Sequence, residues 1–392
     1  MKKFLLLLAA LTLVLGLTAC KKDNEDAVDC MIDPSNEECD YEDPNVDATT
    51  FEIALITDVG TIDDGSFNQG AWEGVVRYAW INDVTHKYYQ PVAKTTDDYV
   101  DAIELAITEG ATTVVCPGFL FENAVWEVQG DNPTINFIIL DGSPHNVTDW
   151  DTMATTDGGA PDFTVESNVR PIFYTEHEAG FLAGYAAVKD GYTELGFIGG
   201  MAVPAVVRFG YGFVQGADQA AMDMGLADDA VTVKYWYSNV FWETPEVQAT
   251  AVSWYSTGTE VIFAAAGGAG ASVMEAAFQE DGLVIGVDID QAGDAPEVIT
   301  SAMKELAVSV NDTLAEIYAE TFTGGAAVTF DVSNNGVGLP QDFSRFNDFD
   351  QADYDAIFEK LVDGDIVVDG DNTQTLAVVA AKYDKVMVED ES

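Results

Sequence analysis

Carboxylates, amides and aromatic rings recur at one kind of position in this chain, directly after a short apolar run. Asp58, Asp64, Ser66, Phe67 and Asn68 follow Phe51-Glu52-Ile53-Ala54-Leu55-Ile56, and Asp141-Gly142-Ser143 follows a run ending at Leu140. Gly199-Gly200-Met201 follows Ile198, with Arg208-Phe209 shortly beyond; Ala266-Gly267-Gly268 follows Ala265, and Asp288-Ile289-Asp290 follows Val287. Side chains of these types hold hydroxyl groups and lay flat faces against a planar ligand. Taken singly, each Asp is better read as a helix cap or turn former, and Phe67 and Phe209 as core packing. The repeated placement is what argues for a cleft. Catalysis has no comparable support. His86, His145 and His177 show no His-Glu-x-x-His spacing, and no Gly-x-Ser-x-Gly elbow occurs. Gly267-Gly268-Ala269-Gly270 lacks the Gly-Lys-Ser/Thr ending of a phosphate loop. No enzyme activity, metal or cofactor is expected.

The elements that must position these residues alternate. Strands are expected at 51–56, 111–115, 137–140, 194–198, 231–237, 261–265 and 283–287, and helices at 68–80, 102–107, 178–188 and 211–224. Short apolar runs bounded by glycine and separated by helical patterns imply parallel sheets with right-handed crossovers. A length of 392 residues is too much for one ordinary core and suggests two such α/β units. In doubly wound sheets, ligands sit beyond the carboxyl ends of the strands, where the residues above fall.

Composition narrows the partner. Asp and Glu number 68 against 16 Lys and Arg, for a formal charge of −52. That field repels phosphate backbones and anionic headgroups, so nucleic acid is excluded as a partner, and self-repulsion favours a monomer. A surface adhesin using the acidic face has no positive feature behind it. At the N-terminus, Lys2 and Lys3 precede an apolar run from Phe4 to Gly16, and Leu17-Thr18-Ala19-Cys20 closes it. Residues 1–19 read as a secretory signal, too short for a comfortable membrane span. The Leu-x-Ala-Cys ending resembles a bacterial lipobox, which makes Cys20 a lipidated first residue carrying acyl chains such as palmitate on the extracytoplasmic face of the cell membrane. Each buried methylene adds roughly 0.8 kcal/mol to such an anchor. The rest of 20–50 is an acidic tether in which Cys30 and Cys39 can close a disulfide loop, and Cys116 reads as an inert core thiol.

From Ala54 to Gly74, the stretch Ala54-Leu55-Ile56-Thr57-Asp58-Val59-Gly60-Thr61-Ile62-Asp63-Asp64-Gly65-Ser66-Phe67-Asn68-Gln69-Gly70-Ala71-Trp72-Glu73-Gly74 resembles the opening signature of the basic membrane protein family, with its purine nucleoside receptor A-like lipoproteins. Leu195-Gly196-Phe197-Ile198-Gly199-Gly200-Met201 and Arg208-Phe209-Gly210-Tyr211-Gly212-Phe213 resemble its second-lobe motif. Gly286-Val287-Asp288-Ile289-Asp290-Gln291 and Thr300-Ser301-Ala302-Met303-Lys304 resemble later ones. The resemblance implies a type I periplasmic-binding-protein fold and the substrate-binding lipoprotein of an ABC importer for nucleosides, purine nucleosides first, with an ABC permease as partner. A sugar-binding or signalling-receptor lipoprotein of the same fold is the alternative.

The expected division is a first lobe of 51–172 plus about 306–325 and a second of 173–305 plus about 326–392. By resemblance, Phe67 and Phe209 sandwich the base, Asp141 takes its edge, and Asp58, Ser66 and Asn68 lie on the first-lobe side. Asp288, Lys304 and the backbone at Gly267 and Gly268 meet the ribose. Phe213 in place of Phe209, and Asp290 in place of Asp288, stay open, and a Lys in a helical stretch would be solvated. Two stretches depart from the family pattern: Ala202-Val203-Pro204-Ala205 is unusually apolar, and the Asp-rich insertion at 149–162 fits no motif.

Overall fold

The computed structural model describes Cys39 and residues 41–392; the expected leader, Cys20 and Cys30 lie outside the described residues. Cys39 is disulfide-bonded, and Cys116 is a buried free thiol. The strands are β1 (Ile53–Ile56), β2 (His86–Tyr89), β3 (Thr113–Pro117), β4 (Asn136–Leu140), β5 (Val147–Asp149), β6 (Ala154–Thr155), β7 (Val169–Tyr174) and β8 (Glu194–Gly199). They continue with β9 (Val231–Tyr237), β10 (Val261–Ala265), β11 (Leu283–Asp288), β12 (Val298–Lys304), β13 (Val328–Phe330), β14 (Val337–Gly338) and β15 (Val386–Asp390). The helices are α1 (Phe67–Asn82), α2 (Thr96–Thr108), α3 (Glu122–Gln129), α4 (Glu176–Lys189), α5 (Pro204–Asp223), α6 (Pro245–Ser256), α7 (Gly270–Glu280), α8 (Leu306–Tyr318), α9 (Gln351–Val362) and α10 (Leu376–Ala380).

Two large sheets result, in the orders β13-β7-β4-β3-β1-β2 and β14-β12-β11-β10-β8-β9-β15, with β5 and β6 paired apart from both. Every pairing within them is parallel except β12–β14. The central strands Ile-Ala-Leu-Ile, Thr-Val-Val-Cys-Pro and Val-Ile-Phe-Ala-Ala are buried throughout, as a parallel sheet covered on both faces requires. The chain passes between lobes three times. It leaves the first sheet after β7, since α4 packs on α5 and β12. It returns after β12, since α8 packs on α1, and leaves again after β13, which pairs with β7 before β14 joins β12. Residues 328–330 therefore belong with the first sheet, past the expected crossing near 325, because Val328, Thr329 and Phe330 complete its edge against Ile172, Phe173 and Tyr174.

Two further elements differ from expectation. Helix α5 begins at Pro204 instead of 211, because proline suits the first turn of a helix, where its missing N–H costs nothing. Phe209 is thereby inside a helix and not on a loop. Lys304 ends strand β12 opposite Val337 and is 3% exposed, so it is not a solvated helix residue.

Helices α4 and α5 pack backbone to backbone. Both carry a Gly-x-x-x-Gly pair, Gly180/Gly184 and Gly212/Gly216. A Cβ at Gly216 would lie 1.9 Å from the Phe181 carbonyl oxygen, and one at Gly180 would lie 2.1 Å from that of Phe209. Backbone cannot give way as a side chain can, so the two helices would have to part. Gly216→Ala is expected to lower unfolding free energy by about 3 kcal/mol, the upper range for overpacking. Urea denaturation measures it, and a change under 1 kcal/mol would show that the contact is slack.

Candidate functional site

The carboxyl ends of both sheets face each other, and the first-sheet side is organised by one amide. Asn68 Nδ2 donates to Asp58 Oδ1 at 2.9 Å and to Asp64 Oδ2 at 2.8 Å, while its Oδ1 accepts from the Asp58 N–H at 3.1 Å. Asp64 also caps α1, accepting from the N–H groups of Ser66, Asn68 and Gln69. Burial pushes both carboxyls up, and the bonds from Asn68 pull them back in part. Ser66 reaches across the cleft, donating its Oγ–H to Asp288 Oδ2 at 2.6 Å, and Gln291 Nε2 donates to the Gly65 carbonyl at 2.6 Å.

Lys304 forms the floor. Its Nζ lies 2.5 Å from Asp141 Oδ2, 3.2 Å from Glu176 Oε1 and 3.8 Å from Asp288 Oδ1. The rings of Phe67, Phe209 and Tyr174 surround the same ammonium, with centroids at 4.9, 5.3 and 5.4 Å. Asp141 and Asp288 reach it from left-handed backbone, φ 53° and 67°, at the ends of β4 and β11. Asp tolerates that region better than most residues. Glu176, at the start of α4, also accepts from Arg208 Nε at 2.5 Å.

Three carboxylates against Lys304 and Arg208 leave one negative charge uncompensated. Burial, reinforced by Glu176 and Asp288, outweighs Lys304 and pushes the Asp141 carboxyl up to about 7, and burial raises Asp288 as well. Burial acts on Glu176 too, but there Lys304 and Arg208 prevail and hold it below the usual range. Lys304 stays charged, because its three acidic neighbours overcome desolvation and raise it. Asp141 Oδ1 is buried without a hydrogen-bond partner; Glu176 Oε1 is near the ammonium but off its hydrogen-bond axis.

Above this floor is a cavity of about 480 Å³, the size of a small-molecule site. Of the ten candidate ligand residues, all but Ser66 line it; Ser66 stands behind Asp288. Phe67 is partly exposed, whereas Phe209 is 2% exposed and packs edge-on against Phe263, so its packing and lining roles coexist. Phe213 is fully buried and does not reach the cavity, and Asp290 turns away to accept from the Ala292 N–H. Sequence reasoning missed Glu176 and the wall residues Glu122, Trp150, Phe173 and Phe241.

Residues 51–372 match the family described as ABC transporter substrate-binding protein PnrA-like. The chain belongs to that family. It is 29% identical over 317 residues to the ABC transporter nucleoside-binding protein BmpA of Lactococcus lactis subsp. cremoris, covering 75% of this chain and 82% of the relative. It is also 29% identical over 330 residues to basic membrane protein B of Borreliella burgdorferi, covering 81% and 87%. A solute-binding protein of an ABC transporter system from Aeropyrum pernix superposes with a TM-score of 0.67 at 18% identity, covering 84% of this chain and 96% of that one. One from Conexibacter woesei gives 0.63 at 21%, covering 82% and 99%. The fold is the type I periplasmic-binding-protein fold, as the resemblance implies.

In this PnrA-like chain the floor charges are unequal partners. Lys304→Met leaves three buried carboxylates facing Arg208 alone and is expected to cost about 3–5 kcal/mol of stability. Asp141→Asn removes the surplus charge and leaves Lys304 paired to Glu176 and Asp288, so denaturant stability at pH 8 should fall by less than about 1 kcal/mol. Because Asp141 is raised above its unfolded value to about 7, the folded chain holds an extra proton from about pH 4 to 7. Its contribution to apo stability is therefore lost as pH rises through that window, and Asp141→Asn should flatten part of the slope. Equal losses in the two variants, or an unchanged slope, would contradict this charge balance.

Proposed function

We propose that this protein is a lipid-anchored, extracytoplasmic receptor that binds one purine nucleoside between its lobes and presents it to an ABC permease. The observation that carries the reading is the unpartnered Asp141 Oδ1 at the cavity floor. A buried polar atom without a partner is costly; a ligand N–H or O–H satisfies Oδ1 when Asp141 is ionised, and a ligand acceptor does so when Asp141 carries its proton. A purine edge has such a donor, and Phe67 offers a partly exposed ring beside it. In this reading the base stacks on Phe67 with the edge of Phe209 opposite and meets Asp141, and Asp58 and Asn68 close its other side. The ribose hydroxyls meet Asp288, Lys304 and the backbone at Gly267 and Gly268.

Charge favours a neutral ligand. Asp58, Asp64, Glu122, Asp141 and Asp288 line the cavity against two cations, Lys304 and Arg208, both already engaged by carboxylates. A nucleotide phosphate would find no free cation there. The family of substrate-binding proteins and the nucleoside-binding relative support the same class. No helix among the described residues is long and apolar enough to cross a membrane, which leaves the Leu-x-Ala-Cys ending at Cys20 as the proposed anchor. The protein acts as a monomer and performs no chemistry on its ligand.

Inosine, adenosine or guanosine should raise the melting temperature and bind one per chain in calorimetry, with the 5′-monophosphates far weaker. Phe67→Ala should weaken that binding by roughly 1–3 kcal/mol, the range for one lost stacking ring, with little change in apo stability. Tight binding of a hexose and none of any nucleoside would favour the sugar-receptor alternative. Cys20→Ala should release the protein from membranes; retention there, with no acyl mass on the native chain, would remove the anchor from the proposal.

A further inference from the structure

The two stretches that depart from the family pattern meet at one place. The insertion at 149–162 completes a small hairpin, β5–β6, that joins neither large sheet, and its Trp150 lines the ligand cavity while remaining 61% exposed. Ala202, Val203, Pro204 and Ala205, carried on the second lobe at the start of α5, line the same cavity. One departure is thus an indole and the other a row of small apolar groups, on opposite lobes.

The hairpin is built to hold the indole still. Asn146, 1% exposed, donates to the Ala160 carbonyl at 3.0 Å and accepts from the Asp162 N–H at 2.7 Å, tying the base of the loop to its end. Trp150 meets His145 edge to face at 5.0 Å and stacks on Phe163 at 6.1 Å. His145 is itself pinned: its Nδ1 accepts from the Val147 N–H at 3.1 Å, which leaves the proton on Nε2 to meet Glu122 Oε2 at 3.0 Å. Glu122 lines the cavity and accepts from the Ser143 N–H beside Asp141. The indole is therefore coupled by direct contacts to the wall that carries the candidate base-edge carboxylate.

A large ring held rigidly at the mouth of a cavity, yet mostly exposed, is a surface waiting for a partner. We propose that Trp150 is a specificity-determining residue, closing with residues 202–205 over the outer part of the bound ligand and favouring a ligand with a broad planar ring system. The choice of a purine over a pyrimidine nucleoside as its ligand rests on the nucleoside reading above. The apolar pair adds contact area that two fused rings fill and a single ring leaves partly wet.

The experiment compares wild type, Trp150→Ala and Trp150→Phe by calorimetry against inosine, uridine and a set of hexoses, with acrylamide quenching of tryptophan fluorescence in parallel. Trp150→Ala is expected to lose at least tenfold in inosine affinity and less for uridine, Trp150→Phe to recover most of it, and apo melting to stay within a few degrees. The quencher-accessible signal absent from Trp150→Phe should become protected when wild type is saturated with ligand. Unchanged affinity in Trp150→Ala together with an indole still open to quencher in the complex overturns the proposal and leaves the nucleoside reading intact. If wild type binds a hexose in place of nucleosides, that reading fails, and the same affinity and quenching comparison with the hexose decides the role of Trp150. A wild type that binds none of these ligands overturns both.

Discussion

Lys304 gathers the charged ends of four elements at one point. Asp141 ends a strand of the first sheet, Asp288 and Lys304 end neighbouring strands of the second, and Glu176 opens the helix after the first crossing. Without the ammonium, Asp141 and Asp288 would repel across the cleft at short range and low dielectric. With it, the two sheet ends are held at a spacing that leaves room for a small molecule. The ammonium is in turn buried, so it depends on all three carboxylates and on the rings around it. Lobe spacing and ligand chemistry therefore rest on the same charge cluster.

That cluster is assembled by packing elsewhere. Glu176 and Arg208 sit at the starts of α4 and α5, and their 2.5 Å contact exists because the helices touch along glycine. The glycine seam and the cavity share an atom path. Gly180 lies against the backbone of Phe209, whose ring faces Lys304. A change in helix separation would thus reach the floor of the site without passing through a loop.

The alternating architecture was legible where strands are uninterrupted apolar runs, as 261–265 matches β10 to the residue, or alternate regularly, as 231–237 matches β9. Strands with neither pattern escaped. Strand β7 contains Arg170 and Pro171, and the buried arginine is matched by Glu316 on α8 at 2.7 Å and by the Thr323 carbonyl at 3.1 Å. Missing β7 hid Glu176, which follows it. Strand β12 reads Val-Ile-Thr-Ser-Ala-Met-Lys, with no sign in the local pattern that its final lysine is covered by three acids distant in sequence. Trp150 was invisible for the opposite reason. Its neighbours look like solvated acidic loop, and only the network around Asn146 and His145 turns them into an arm. Local pattern finds backbone; it does not find charge partners brought together by a fold.

The −52 charge and the acidic cavity look like one property but act at different ranges. At 0.1 M salt, charges more than about 10 Å apart are largely screened, so the surface field fades before it can discriminate between ligands in the cleft. Discrimination must come from groups at contact distance. There the cavity has two cations, and each already has a carboxylate partner at 2.5 Å. An anionic ligand would have to break one of these pairs and leave a buried carboxylate uncompensated, whereas a neutral ligand would disturb neither.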